Sequence, residues 1–287
     1  MTRGGVSIQA GYVEYHLIVL DVDGTLLDSS HQLRPRVAQA IQHAQNAGLH
    51  IALATGKLLG SVVPLLRRMG ISGPQIVLNG AATLESETGQ PVRYVPLRED
   101  DRKAVISTVR AADPHVLVSH FTLDGILMDG PHPAIGIFEE YGEAPPRLVP
   151  DLMADGLPPA AKILLSGEPE RLASIRAVVT PALGHRVTIT TTTPDFLEFF
   201  DPSANKGLAL AALRESMGLA RENVVVMGDG ENDLPLFGEA GLAIAMGNAS
   251  PVLKAAAHRI ALTNDEDGVA VVLEELLAGL STPKGSR

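Results

Sequence analysis

Continuous apolar runs and amphipathic segments take turns along this chain. Residues 17–20 (LIVL) are wholly aliphatic and stop at Asp21, Val22, Asp23 and Gly24. The next segment, PRVAQAIQHAQNAG (35–48), puts Val37, Ala40, Ile41 and Ala44 on one face, with Pro35 early and Gly48 at the end. That spacing predicts an amphipathic helix. HIALAT (50–55) predicts a short buried strand, LLGSVVPLLRRMG (58–70) a helix bent or restarted near Pro64, and QIVLNG (75–80) a third strand. Apolar runs that are unbroken rather than alternating, with helices between them, predict a parallel sheet covered on both faces.

The texture then changes. AATLESETGQPVRYVPL (81–97) predicts a hairpin turning near Thr88 and Gly89, followed by a helix (99–113), strands at HVLVSH, DGILMDG and AKILLSG, a helix at EPERLASIRAVV and a strand at RVTITTTT. Residues 84–195 therefore predict an inserted second domain, a smaller sheet with helices on one side. The parallel pattern resumes afterwards: a helix at NKGLALAALRESMGL, a strand and loop at ENVVVMGDG, a strand at LAIAM, then helix, strand and closing helix. The expected fold class is α/β, a doubly wound, Rossmann-like sheet contributed by 1–83 and 196–287, with an α+β insertion at 84–195.

Composition narrows the function. The chain has 287 residues, a net charge of −10, 45% hydrophobic residues, 3% aromatic residues and no Trp or Cys. The acidic balance argues against a nucleic-acid or anionic-membrane surface, though a metal ion can still make an acidic site hospitable to a small anion. Without cysteine there is no disulfide or thiolate chemistry. No run approaches the ~18 apolar residues that cross a bilayer, and the opening residues lack the apolar stretch of a signal peptide. The expectation is a cytoplasmic protein with a frayed STPKGSR tail. Oligomeric state is not legible.

Three strands end in polar residues, at VLDVDG, LATGK and VMGDGEND. In a doubly wound sheet the sites form at such carboxyl ends. In an extended segment Asp21 and Asp23 point to one face, ~6.6 Å apart. Such a pair suits a divalent cation, with oxygen ligands favouring Mg²⁺, or a nucleophile beside a general acid; it also suits a plain polar turn. Thr55 and Gly56, before Lys57, offer a hydroxyl and backbone N–H groups to an anion, although Thr-Gly ends many strands. Lys206 in the first turn of its helix sits against the macrodipole unless an anion binds beside it; a solvated Lys is the simpler account. Gly228–Asp233 packs Asp229, Glu231, Asn232 and Asp233 into a Gly-flanked loop whose spacing does not fit an EF-hand.

Together these segments resemble the haloacid dehalogenase superfamily of phosphatases. Its motifs read here as DVDGT (21–25), Thr55, Lys206 and GDGEND (228–233), in the family's order. The long insertion between the second and third is similar to the Cof-type branch with a large α/β cap. NGA (79–81), KGLAL (206–210), AMGNAS (245–250) and EDGVA (266–270) match that branch as well. Lys57 departs from it, since many relatives carry Arg there.

The resemblance implies a Mg²⁺-dependent phosphatase acting on a small phosphorylated metabolite, such as a sugar phosphate. Asp21 would be the nucleophile and Asp23 the acid and base, its acidic surroundings favouring a proton. Mg²⁺ would lie between Asp21 and Asp229, with the Asp23 backbone carbonyl as a further ligand. Thr55, Gly56, Lys206 and Asn232 would bind phosphate, and Asp233 would support Lys206 or a metal-bound water. Asn79 and Asn248 would orient neighbours or simply form turns. A phosphomutase shares this active site. A phospho-acceptor signalling module shares the acidic cluster, Thr and Lys, but needs neither Asp23 nor a lid. In the insertion, His115, His120 and His132 lack ligand spacing, Phe121 and Asp124 lie with His120 near a strand end that could face substrate, and Lys162 and Arg186 are expected at the surface.

Overall fold

A computed structural model describes residues 8–10, 13–191 and 193–280. The opening residues, Thr192 and the STPKGSR tail, for which expectations were given above, lie outside the described residues.

The central sheet has five parallel strands in the order Arg259–Ile260, Leu242–Ala245, Val224–Gly228, Leu17–Leu20 and His50–Leu53. Pro74–Val77 extends it, through a parallel bridge between Ala54 and Ile76. Leu17–Leu20 is buried at every position, as a strand sandwiched between helices must be. From it the chain winds one way to His50–Leu53 and later returns on the opposite side to Val224–Gly228. The order thus reverses between Leu17–Leu20 and Val224–Gly228, and their carboxyl ends open the crevice where ligands bind in such sheets. The backbone N–H of Asp21 donates to the Met227 carbonyl at 3.0 Å, locking the two ends side by side.

Helix Pro35–Asn46 buries the four residues its periodicity singled out, Val37, Ala40, Ile41 and Ala44. Helix Leu59–Met69 runs through Pro64 without restarting. Pro64 lies mid-helix, where the chain forgoes one N–H bond, while Val62, Leu66 and Met69 still bury their face.

The second sheet has six strands, ordered Arg147–Leu148, Ile126–Met128, Leu117–Phe121, Lys162–Ser166, Phe196–Phe200 and Thr188–Thr190. Helices Glu99–Ala112 and Pro169–Leu183 cover one face, packing Val105, Ile106, Val109, Ile175 and Val179 on Ile163, Leu165, Leu197 and Phe199. Successive strand residues alternate faces. Lys162, Leu164, Phe196, Glu198 and Phe200 therefore look the other way, toward the central sheet. The hairpin Ala82–Glu85 and Pro91–Tyr94 pairs with Pro74–Val77, not with this second sheet. Strand Phe196–Phe200, which the apolar pattern did not single out, runs beyond residue 195 and pairs with Lys162–Ser166. By strand pairing, then, the crossings between sheets fall near 95–98 and 201–205 rather than at 84 and 195.

Candidate active site

The expected continuation of the first strand through Asp23 is replaced by a tight turn, Val22–Leu26, closed by a bond from the Leu27 N–H to the Val22 carbonyl at 2.9 Å. Gly24 takes φ +77°, and a Cβ there would lie 2.3 Å from Oδ2 of Asp229. Only glycine lets this turn and the Asp229 carboxylate approach so closely. The turn also aims Thr25 at the same carboxylate, its hydroxyl donating to Oδ1 of Asp229 at 2.9 Å.

Asp21 is buried, and one of its oxygens accepts from Nζ of Lys206 at 2.6 Å. Nζ donates equally to Asp233, also at 2.6 Å. Lys206 opens helix Lys206–Ser216, which Asn205 caps by accepting from the Leu208 N–H. Far from being solvated, it is fully enclosed, and the two carboxylates beside it answer the unfavourable macrodipole. Their charges hold its ammonium well above the ordinary lysine range against the effect of burial.

Asp233 is completely buried and acts as a hub. Its second oxygen accepts from the N–H groups of Asp229 and Gly230 at 3.0 and 3.1 Å. Gly228 makes room, since a Cβ there would lie 2.5 Å from that oxygen. Carboxylate oxygens of Asp21, Asp229 and Asp233 come within 4.8 Å of one another. Burial, then repulsion from Asp233, raises the Asp21 carboxyl well above the usual carboxylate range, and Lys206 opposes the rise. Burial and Asp233 likewise push Asp229 up to about 6, opposed by the Thr25 hydrogen bond and Lys206. An all-oxygen donor set whose anions are crowded and short of positive charge fits a hard divalent cation such as Mg²⁺.

Asp23 faces elsewhere. Its nearest cation is Lys57 at 3.2 Å and Nδ1 of His31 lies 3.6 Å away, while on its acidic side its charge still helps to raise Asp229. It still lines the same cavity as Asp21. Nζ of Lys57 also donates to the Tyr141 carbonyl at 2.6 Å, tying the turn to the second sheet's side of the crevice. Thr55 is buried, with its hydroxyl oxygen accepting from the Lys57 N–H at 3.2 Å. Gly56 and Asn232 line the cavity. Nδ2 of Asn232 donates to Oδ1 of Asn79 at 3.0 Å. Asn79 and Asn248 do orient neighbours: Asn79 donates to Glu198 at 2.9 Å, and Asn248 to the Gly24 carbonyl at 2.7 Å.

The second sheet completes a cavity of about 290 Å³ between the two layers. Lys162 is buried, contrary to the surface position expected for it, and ion-pairs with Glu198 while donating to the Gly56 carbonyl at 3.2 Å. Glu143 also belongs to this wall, accepting from the Leu58 N–H at 3.0 Å and the Ser61 hydroxyl at 2.6 Å. From sequence alone neither Glu198 nor Glu143 stood out; a single carboxylate inside FLEFF was the available signal. Of the residues expected near substrate in the insertion, Phe121 lines the cavity. His120 points away and bonds the Pro158 carbonyl at 2.9 Å, with burial holding its imidazole down to about 4. Nε2 of His132 meets the His115 carbonyl at 3.2 Å. Arg186 pairs with Asp101 at 2.5 Å. Among the described residues no helix is long and apolar enough to cross a membrane.

Residues 18–273 match the family model described as haloacid dehalogenase-like hydrolase. The chain belongs to the haloacid dehalogenase-like hydrolases. Among the relatives of this hydrolase, YxeH of Bacillus subtilis is 29% identical over 273 residues, 92% of this chain and 98% of its own. A 5-amino-6-(5-phospho-D-ribitylamino)uracil phosphatase, YcsE of Bacillus subtilis, is 28% identical over 267 residues, 92% of this chain and 97% of its own. A crystal structure of a haloacid dehalogenase-like hydrolase from Bacteroides thetaiotaomicron superposes with a TM-score of 0.81 at 30% identity, covering 91% of this hydrolase and 99% of that chain.

Proposed function

We propose that this hydrolase is a Mg²⁺-dependent phosphatase that cleaves a small phosphorylated metabolite through an aspartyl-phosphate on Asp21. The observation that carries the reading is the placement of Asp21 at the topological switch, held by Lys206 and facing one cavity together with Asp23. The name of the YcsE relative, a phosphatase of a phosphorylated small molecule, supports the same reading.

Asp21 must be ionised to attack, although burial and its acidic neighbours favour the neutral form. The Lys206 ammonium offsets that bias at 2.6 Å. Asp21 and Asp229 would hold Mg²⁺, whose charge, when bound, offsets the repulsion between carboxylate and phosphate, about 4 kcal/mol per pair of unit charges at ~4 Å and an effective dielectric near 20. Asp233 grips Lys206 and two loop amides, which suits a positioning role.

An Asp21 oxygen attacks phosphorus, the ester P–O bond breaks, and the leaving oxygen takes its proton from Asp23. Water then attacks the acyl phosphate, Asp23 takes up the water's proton, and inorganic phosphate and the Asp21 carboxylate are regenerated. Lys57 orients Asp23 for both halves. Thr55, the Gly56 backbone and Asn232 would hold the phosphoryl oxygens, where charge accumulates in the transition state.

The test is a screen of phosphorylated metabolites with Mg²⁺, following inorganic phosphate together with isomer formation. Phosphate release that needs Mg²⁺ supports the proposal. Isomer formation without phosphate release would make the enzyme a mutase, and a stable phosphoprotein that never turns over an ester would make it a phospho-acceptor.

A further inference from the structure

Resting on that phosphatase reading, in which Asn232 holds a phosphoryl oxygen, we infer that Glu198 is a positioning residue: through Asn79 it fixes which end of the Asn232 amide meets the phosphate. A chain of four polar side chains runs from the second sheet into the core. Lys162 donates to one oxygen of Glu198, and Nδ2 of Asn79 donates to the other at 2.9 Å. Nδ2 of Asn232 in turn donates to Oδ1 of Asn79 at 3.0 Å.

The direction of this chain is set at its far end. An ammonium only donates, and a carboxylate paired with one only accepts, so Asn79 must turn its NH₂ toward Glu198. That leaves Asn79 its oxygen, and Asn232 must meet it with nitrogen. Nδ2 of Asn232 carries two hydrogens, of which Asn79 takes one. The second serves an oxygen in the cavity that Asn232 lines. Turned over, the amide would offer an oxygen at the same place, and oxygen repels phosphoryl oxygen. The backbone holds Asn79 to this task. It takes φ +53° and ψ 31°, a left-handed conformation that Asn tolerates, and its N–H donates to the Thr55 carbonyl at 2.9 Å. Asn79, Glu198 and Lys162 are all buried, so an unmatched group anywhere in the chain is costly.

Glu198→Gln should reverse the chain. Lys162 claims the new amide oxygen, the new NH₂ faces Asn79, and both asparagines turn over. With Mg²⁺ present, kcat/KM and orthovanadate affinity should each fall about ten- to hundredfold, the effect of one hydrogen bond to a charged group. Asn79→Gly keeps the left-handed turn and the Lys162–Glu198 pair, and should lower both about threefold or more. The loss should be the same factor on acetyl phosphate, p-nitrophenyl phosphate and glucose 6-phosphate, which share only the phosphoryl group. In an Asn232→Ala background, where no amide is left to orient, each substitution should change vanadate affinity less than about twofold. Full losses persisting in that background would make Glu198 a scaffold residue, and losses that differ among the three leaving groups would make it a leaving-group contact. Either result, or no loss from either variant, would overturn the inference and leave the phosphatase reading intact. If Glu198→Gln does not fold, Asn79→Gly decides by the same cycle. If the unaltered Mg²⁺-loaded enzyme cleaved none of the three esters, the phosphatase reading would fall and this inference with it.

Discussion

Replacing Lys206 by Met keeps most of the side chain's length and removes its charge. In the structure that ammonium is fully enclosed and lies 2.6 Å from both Asp21 and Asp233. At an effective dielectric near 20, each contact is worth about 6 kcal/mol of gross attraction, most of which offsets desolvation. The net penalty for stranding buried charges in this way is about 3–5 kcal/mol. Its sign with pH follows from Asp21, whose carboxyl is already raised by burial and acidic neighbours and is lowered by Lys206. A carboxylate raised in the folded state lends stability below its unfolded value, near 3.8, and loses it as pH rises through the folded value. Without Lys206 that rise is larger. The Lys206→Met deficit in urea unfolding should therefore be full near about pH 8 and shrink toward about pH 5 as the stranded carboxylates take up protons. A deficit of the same size at both pH values would show that packing, and not charge, sets it, and would refute the reasoning.

Further outcomes concern the same cluster. The rise of Asp229 from 3.8 to about 6 corresponds to roughly 3 kcal/mol, so the metal-free protein should lose stability as pH climbs across that interval. Calorimetry with EDTA checks this, and adding Mg²⁺ should raise Tm more above about pH 6 than below it, because the ion needs the ionised carboxylate. Gly24→Ala forces a Cβ to 2.3 Å from Asp229 at φ +77°. It should destabilise by about 1–3 kcal/mol and weaken Mg²⁺ binding measured by titration. Lys57→Met should lower kcat on the order of tenfold with little change in Tm, since Lys57 orients Asp23 without anchoring the core.

The central sheet could be read from unbroken runs such as LIVL and VVVM, because burial on both faces removes the polar half of the pattern. Three strand ends with polar residues located the crevice, and the structure does bring Asp21, Asp229, Asp233 and Lys206 together there. What could not be read was which partner each charge would find. Asp23 meets Lys57 and His31 because the chain turns at Gly24 instead of continuing as a strand, a turn invisible in residue spacing. Lys162 and Glu198 each looked isolated; only the antiparallel register, Leu164 opposite Glu198, makes them diagonal neighbours on the inward face. The four rings that line the cavity, Phe121, Phe138, Tyr141 and Phe196, come from three segments far apart in the sequence, and only the fold brings them together.

The central claim is that Asp21 bonds covalently to phosphorus and that Asp23 releases it. Acetyl phosphate needs no protonation of its leaving group, so Asp23→Asn enzyme given Mg²⁺ and acetyl phosphate should complete the first step and stall before the second. After acid quench, peptide mass mapping should find one phosphoryl group per chain, on the peptide holding residue 21. Phosphate released steadily with Asp21 unmodified, or a phosphoryl group on another residue, would contradict the account.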